Sequence, residues 1–167
     1  MSLHLIVLEF KKMLGNLDGL LDKATAHLAA TGGDERALLD SRLAPDMFPL
    51  VRQVQIACDT AKFAAARTAG KEAPSHADDQ TTIAELRQRI AEVGEYLGGF
   101  AATHFEGAED RRLSLPRWEG KTMSAREYFI EHAVPNFFFH LTTTYALLRH
   151  AGVEIGKRDY LGPLPLR

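Results

Sequence analysis

The chain has 167 residues, with 20 basic and 22 acidic side chains, 46% hydrophobic residues and 25% charged ones. This is an ordinary globular balance, with length enough to bury a core without staples. The net charge of −2 comes from interleaved charges, without the basic stripe that nucleic-acid binding requires. The one cysteine, Cys58, excludes an intrachain disulfide framework, and no stretch approaches the ~18 apolar residues of a membrane span. The apolar run Leu3–Leu8 lacks the flanks and cleavage site of a signal peptide. The expected location is therefore cytoplasmic, with no nucleic-acid or membrane partner.

Ile6, Phe10, Met13, Leu14, Leu17, Leu21, Ala24 and Leu28 recur every three or four residues, which predicts a helix with Lys11, Lys12, Asp18, Asp22 and Lys23 on its outer face. Thr31-Gly32-Gly33 ends it, and Asp34 is placed to cap a short turn through Asp40. Pro45 and Pro49 mark the entry to a second long helix. Its seam, Met47, Val51, Val54, Cys58, Ala61, Ala65 and Thr68, is built from small residues, so a neighbouring helix can approach closely. Lys62 is expected to snorkel from the seam margin, and residues 70–79 read as a loop.

Thr82 and Glu85 form a capping box that opens a third helix along Ile83, Leu86, Ile90, Val93 and Leu97, which Gly98-Gly99 stops. Residues 103–123 have no helical period, and weak alternation around Glu119-Gly120 predicts an irregular or β-hairpin excursion. A second capping box, Ser124 with Glu127, opens the last helix. Pro135 predicts a kink or break in it, Gly152 follows its end, and the tail with Pro163 and Pro165 reads as irregular. The fold class is all-α: a four-helix bundle in a single domain over residues 1–167.

Chemistry concentrates on the last helix. Asn136, His140 and Thr144 share one side of it. His140 reads either as a buried histidine held by hydrogen bonds or as the anchor of a polar pocket. As a metal ligand it lacks a histidine partner, because the residue four positions on is Thr144. On the second helix Gln53 and Gln55 flank the seam, and an amide there either orients a small polar molecule or a histidine, or borders solvent. Cys58 lies on the seam as a small hydrophobe. Phe137, Phe138 and Phe139 cannot all face one core, so one of them looks toward a partner subunit, a loop or a pocket.

Arg42-Leu-Ala-Pro-Asp-Met-Phe-Pro-Leu50, Arg52-Gln-Val-Gln-Ile-Ala-Cys-Asp-Thr-Ala-Lys62, Pro135-Asn-Phe-Phe-Phe-His140 and Leu147-Leu-Arg-His-Ala-Gly-Val-Glu-Ile-Gly156 together resemble the domain-of-unknown-function family nineteen ninety-three, a branch of the DinB/YfiT-like metalloenzyme superfamily. The resemblance implies an up-down-down-up bundle, often a homodimer. Some members are metal-dependent thiol transferases or isomerases, with zinc or nickel held by one histidine of the second helix and a His-x-x-x-His pair on the last. Here the second-helix position falls near Gln55, and only His140 matches the pair. Two readings follow. The first is a small-ligand-binding or weakly metal-dependent bundle with a pocket of Gln55, Asn136, His140 and Thr144, where His140 is the candidate ligand of a divalent zinc or nickel ion. The second is a non-catalytic dimeric interaction or regulatory module.

Overall fold

A computed structural model describes residues 2–167. Four long helical stretches carry the fold: α1 (Leu3–Thr31), α3 (Leu50–Ala69), α4 (Ile83–Gly98) and α6 (Val134–His150). Between the first two lies α2 (Glu35–Asp40), capped by the Asp34 side chain as expected. The apolar stripe of α1 is buried from Leu3 to Ala24, and Phe10 sits at its centre, with its ring 4.4 Å from that of Phe137. The seam of α3 is buried at Val54, Cys58, Ala61, Ala65 and Thr68.

Helix directions follow from the side-chain pairs. Asp18 of α1 meets Arg87 of α4, and His4 reaches the carbonyl of Phe100 beyond the far end of α4, so α1 and α4 are antiparallel. Gln53, Thr60 and Arg67 of α3 meet His140, Asn136 and Tyr128 in turn, so α3 runs antiparallel to the last helix. Gln55 meets Gln80, Asp59 meets Arg89 and Glu72 meets Tyr96, so α3 and α4 are parallel. The result is the up-down-down-up bundle.

Parallel neighbours require the connection 70–82 to return the length of the bundle. α4 has 16 residues and is about 24 Å long at ~1.5 Å per residue. An extended segment at ~3.3 Å per residue covers that distance easily, but it has no ladder to satisfy its backbone. Side chains of α3 and α4 take over that role, as described below.

The excursion is a wide hairpin, with β1 (Arg112–Leu113) antiparallel to β2 (Met123–Ser124). Its tip turns through Glu119 and Gly120, both with positive φ (52° and 81°), which glycine adopts freely and glutamate does not. Both capping boxes are present.

Two expectations are corrected. Pro135 does not break the last helix: α5 (Ala125–Glu127) continues through a π-helical turn, Tyr128–Ala133, into α6. The amide of Val134 donates to Phe129, five residues back, and this wider register relieves the collision a proline makes in a tight α-ladder. The tail is not wholly irregular either. α7 (Lys157–Leu161) is held by the Asp159 carboxylate, which accepts from the Gly156 amide at 2.7 Å and from Lys23 of α1 at 2.6 Å.

Candidate functional site

Polar side chains enter the bundle along two sides of α3. The first faces α6. Gln53 is buried, and its amide nitrogen donates to the carbonyl of Phe48 at 2.9 Å. A carbonyl only accepts, so this bond fixes which way the amide points. The amide oxygen of Gln53 therefore faces Nδ1 of His140, 2.6 Å away. Nδ1 must donate, and the neutral imidazole then carries a free lone pair on Nε2. No described residue hydrogen-bonds Nε2, and it is not sealed from solvent. Burial, and after it the positive charge of Arg52, pushes the His140 pKa down to about 4. At neutral pH the ring is uncharged and keeps an acceptor at the α3–α6 seam.

The groups hydrogen-bonded around His140 are neutral. Asn136, one turn back and half-buried, donates to the Thr60 hydroxyl at 2.7 Å. Thr144 is fully buried and bonds back to the His140 carbonyl at 2.9 Å, so its hydroxyl is engaged within its own helix. Thr143 does the same toward Phe139. Phe139 is 55% exposed and Phe48 54%. Phe137 is the fully buried member of the triple phenylalanine, so the expected outward-facing ring is Phe139.

Gln55 is not the partner of His140. It is buried on the opposite side of α3, where it accepts from Arg52 at 3.1 Å and donates to Gln80 at 3.1 Å. Two positions along a helix turn a side chain by ~200°, so Gln53 and Gln55 look away from each other. Gln53 and Thr60, with Arg67, form a heptad-spaced polar row on α3. That spacing was visible in the sequence, but its significance depended on knowing that α6 faces it.

The second polar system lies between α3, α4 and the connection 70–82. Lys62 does not snorkel: it is 1% exposed, and its ammonium meets Asp59 at 2.9 Å and Nδ1 of His76 at 2.8 Å. Arg89, 2% exposed, donates to Asp59, Asp78 and Gln80 at 2.8–2.9 Å and to the carbonyl of Ala77 at 3.1 Å. Burial works against the Asp78 carboxylate, yet hydrogen bonds from Arg89 and Arg52 hold its pKa below the usual range. Burial, Lys62 and Arg89 lower that of His76. These charges are matched, and they clamp the extended connection to the helices. Cys58 lies beside them, fully buried, and burial pushes its thiol up to about 12, which removes it as a nucleophile.

The model of the family described as a domain of unknown function (DUF1993) matches residues 3–161. The chain belongs to the DUF1993 family. It is also 53% identical to a DinB family member from Shewanella denitrificans solved at 1.83 Å, with a TM-score of 0.93 over 96% of this chain and 92% of that one. Comparison with curated proteins gives no match. The fold of this DUF1993 chain is thus DinB-like.

A zinc or nickel centre of the superfamily type does not fit these residues. The seam offers one imidazole, with its Nδ1 bound to Gln53, and the remaining groups are amides and hydroxyls. Among the described residues, no three histidine, cysteine or carboxylate side chains are grouped to hold a metal ion. What the seam can do chemically is accept a hydrogen bond.

Proposed function

We propose that this DUF1993 protein binds a small polar molecule at the α3–α6 seam, without zinc or nickel, through Nε2 of neutral His140. The observation that carries this reading is the chain Phe48 carbonyl, Gln53 amide, His140 Nδ1, which fixes the tautomer and leaves one lone pair uncommitted. A side chain locked this way is pre-organised, so little entropy is lost when a ligand bonds to it. With a pKa of about 4, His140 is a poor general base at neutral pH. The seam therefore suits an alcohol, amide or amine donor held as a ligand, with Asn136 and Thr60 as further contacts and Phe139 and Phe48 as apolar flanks. Thr144 supports the backbone beneath.

Nitrogen-15 NMR of histidine-labelled protein tests this. At pH 7 His140 should show Nδ1–H and an unprotonated Nε2. Hydroxyl- or amide-bearing fragments should shift Nε2, and His140→Phe should abolish their binding. If no fragment moves Nε2 at millimolar concentration, the reading fails. Elemental analysis of purified protein and thermal shifts with zinc and nickel check the metal. A shift present in the wild type and absent in His140→Gln would overturn the metal-free part.

A second reading has its own support. Phe48 and Phe139, beside Gln53 and His140, are each more than half exposed, apolar surface of the kind that meets a second subunit. On this reading the protein is a homodimer using the Phe139 face. Light scattering at micromolar concentration decides it: a dimer that Phe139→Glu converts to monomer supports it, and a wild-type monomer refutes it.

A further inference from the structure

At the other end of the α3–α6 seam a second cluster stands apart from the His140 reading and does not depend on it. Arg67 of α3 lies with its guanidinium carbon 4.5 Å from the centre of the Phe63 ring and donates to the Tyr128 hydroxyl at 3.0 Å. The Tyr128 ring stacks on His132, with centroids 5.3 Å apart and planes 15° from parallel. Arg117, from the excursion, approaches His132 from outside and donates to its Nε2. Trp118 meets both rings edge-on, at 6.0 Å from Tyr128 and 6.4 Å from His132.

Arginine never accepts a hydrogen bond, so Nε2 of His132 is the acceptor and Nδ1 carries the proton. That Nδ1–H is buried and has no acceptor among the described residues. The arginines that do meet carboxylates are Arg36, Arg52, Arg87, Arg89 and Arg112. Arg67 and Arg117 spend their identified bonds on neutral partners, a phenol and an imidazole. After burial, these two cations are what lowers the pKa of His132, and no carboxylate offsets them. The two charges in contact with these rings are both positive, and the Glu119 carboxylate that lines the adjoining cleft bonds to neither arginine. Arg117 is solvated at the surface, and the unmet group is the buried Nδ1–H of His132.

Beside it opens a cleft of about 450 Å³, lined by Arg117, Trp118, Lys121 and Met123 with Glu119 and Thr122. That is the size range of small-molecule sites, with Trp118 and Met123 as its apolar wall and charged or polar side chains around the rest. We infer that Arg117 and Arg67, set around His132 and Trp118, form an anion subsite that takes the carboxylate or phosphate of a small organic molecule seated in this cleft. Arg117 supplies the direct contact, Trp118 and Met123 hold the apolar body, and Arg67 adds charge from behind Tyr128.

The test uses the full chain with labelled histidine, titrated at constant ionic strength with inorganic phosphate, acetate or benzoate. The His132 resonance should move saturably, and the His132 pKa should rise when an anion supplies the missing negative charge. Arg117→Gln should weaken the response about tenfold or more, Arg67→Gln should weaken it less, and His140→Gln should leave it unchanged. Arg117 is exposed, so its variant is expected to fold normally. Phosphate binding more tightly than either carboxylate would identify a phosphate ester, and benzoate binding most tightly a carboxylate on a flat apolar body. A His132 resonance that no anion moves at tens of millimolar overturns the assignment. So does an equal response in the wild type and Arg117→Gln.

Discussion

Gln53 and Gln55 stand two residues apart on α3, and both are buried, yet they serve different systems. Gln55 joins Arg52, Gln80, Arg89, Asp78, Asp59 and Lys62, where each charge has an opposite charge in contact. Gln53 joins the Phe48 carbonyl and His140, where Arg52 acts on the ring only through its field and one ring nitrogen is left over. The charged network holds its shape through these paired contacts, and within it only Arg89 Nε is buried without a partner among the described residues. An open neutral pair is cheaper to bury and retains an acceptor. Strong charge inside this bundle therefore marks structure, and the weaker-looking side marks the candidate site.

The largest expected effect breaks the charged side. Arg89→Met removes the cation from Asp59 and Asp78 and frees the connection 70–82 from its clamp. It should cost about 3–5 kcal/mol in denaturant unfolding. Pairing it with Asp59→Leu should not recover the loss, because buried Lys62 then loses its own carboxylate. A cost below 1 kcal/mol would mean the network is not the clamp described.

The next effect belongs to the neutral side and depends on pH. His140 titrates near 6.5 when unfolded and near 4 when folded. Between those values the unfolded chain binds more protons, so stability is full above pH 6.5 and falls as pH drops toward 4. The loss reaches at most about 3 kcal/mol at ~1.4 kcal/mol per unit. His76 and His132 have lowered pKa values too and steepen the same window. Unfolding curves between pH 7 and pH 4 should be visibly flatter in His140→Gln, and an unchanged slope would refute the assignment.

A smaller effect sharpens the role of Gln53. Gln53→Ala strands the proton on His140 Nδ1 and should cost about 1–3 kcal/mol. Gln53→Glu should instead raise the His140 pKa measured by NMR, because a carboxylate then faces Nδ1. The corresponding Gln55→Glu should leave that pKa nearly unmoved, since Gln55 points to the other side. The smallest is Thr60→Val, which deletes one neutral hydrogen bond to Asn136 and should cost about 1 kcal/mol by thermal unfolding.

Much of the fold was legible in local signals. The stripe of α1, the small seam of α3 from Val54 to Thr68, both capping boxes and the glycine stops lie where the pattern predicts, whereas Met47 precedes α3 and Val51 is only half-buried. The π-turn before Pro135 was not, because a wider register leaves no compositional mark. Lys62 was misread as snorkelling because its burial depends on the connection 70–82 lying over it, with His76 at hand. His140, Asn136 and Thr144 were identified on one face, but their partners were not.

The sequence by itself determined the helices, their order, and the fact that α6 carries a histidine with no histidine four residues on. Those features rest on interactions within a few residues. Only the tertiary structure decided which glutamine meets His140, that Thr144 is occupied by its own backbone, and that Lys62 and Arg89 are buried clamps. Each of these depends on helix rotation and on long-range pairing across the bundle. Two residues' worth of turn around α3 separates Gln53 from Gln55, and that rotation is set by packing against α6 and α4 together.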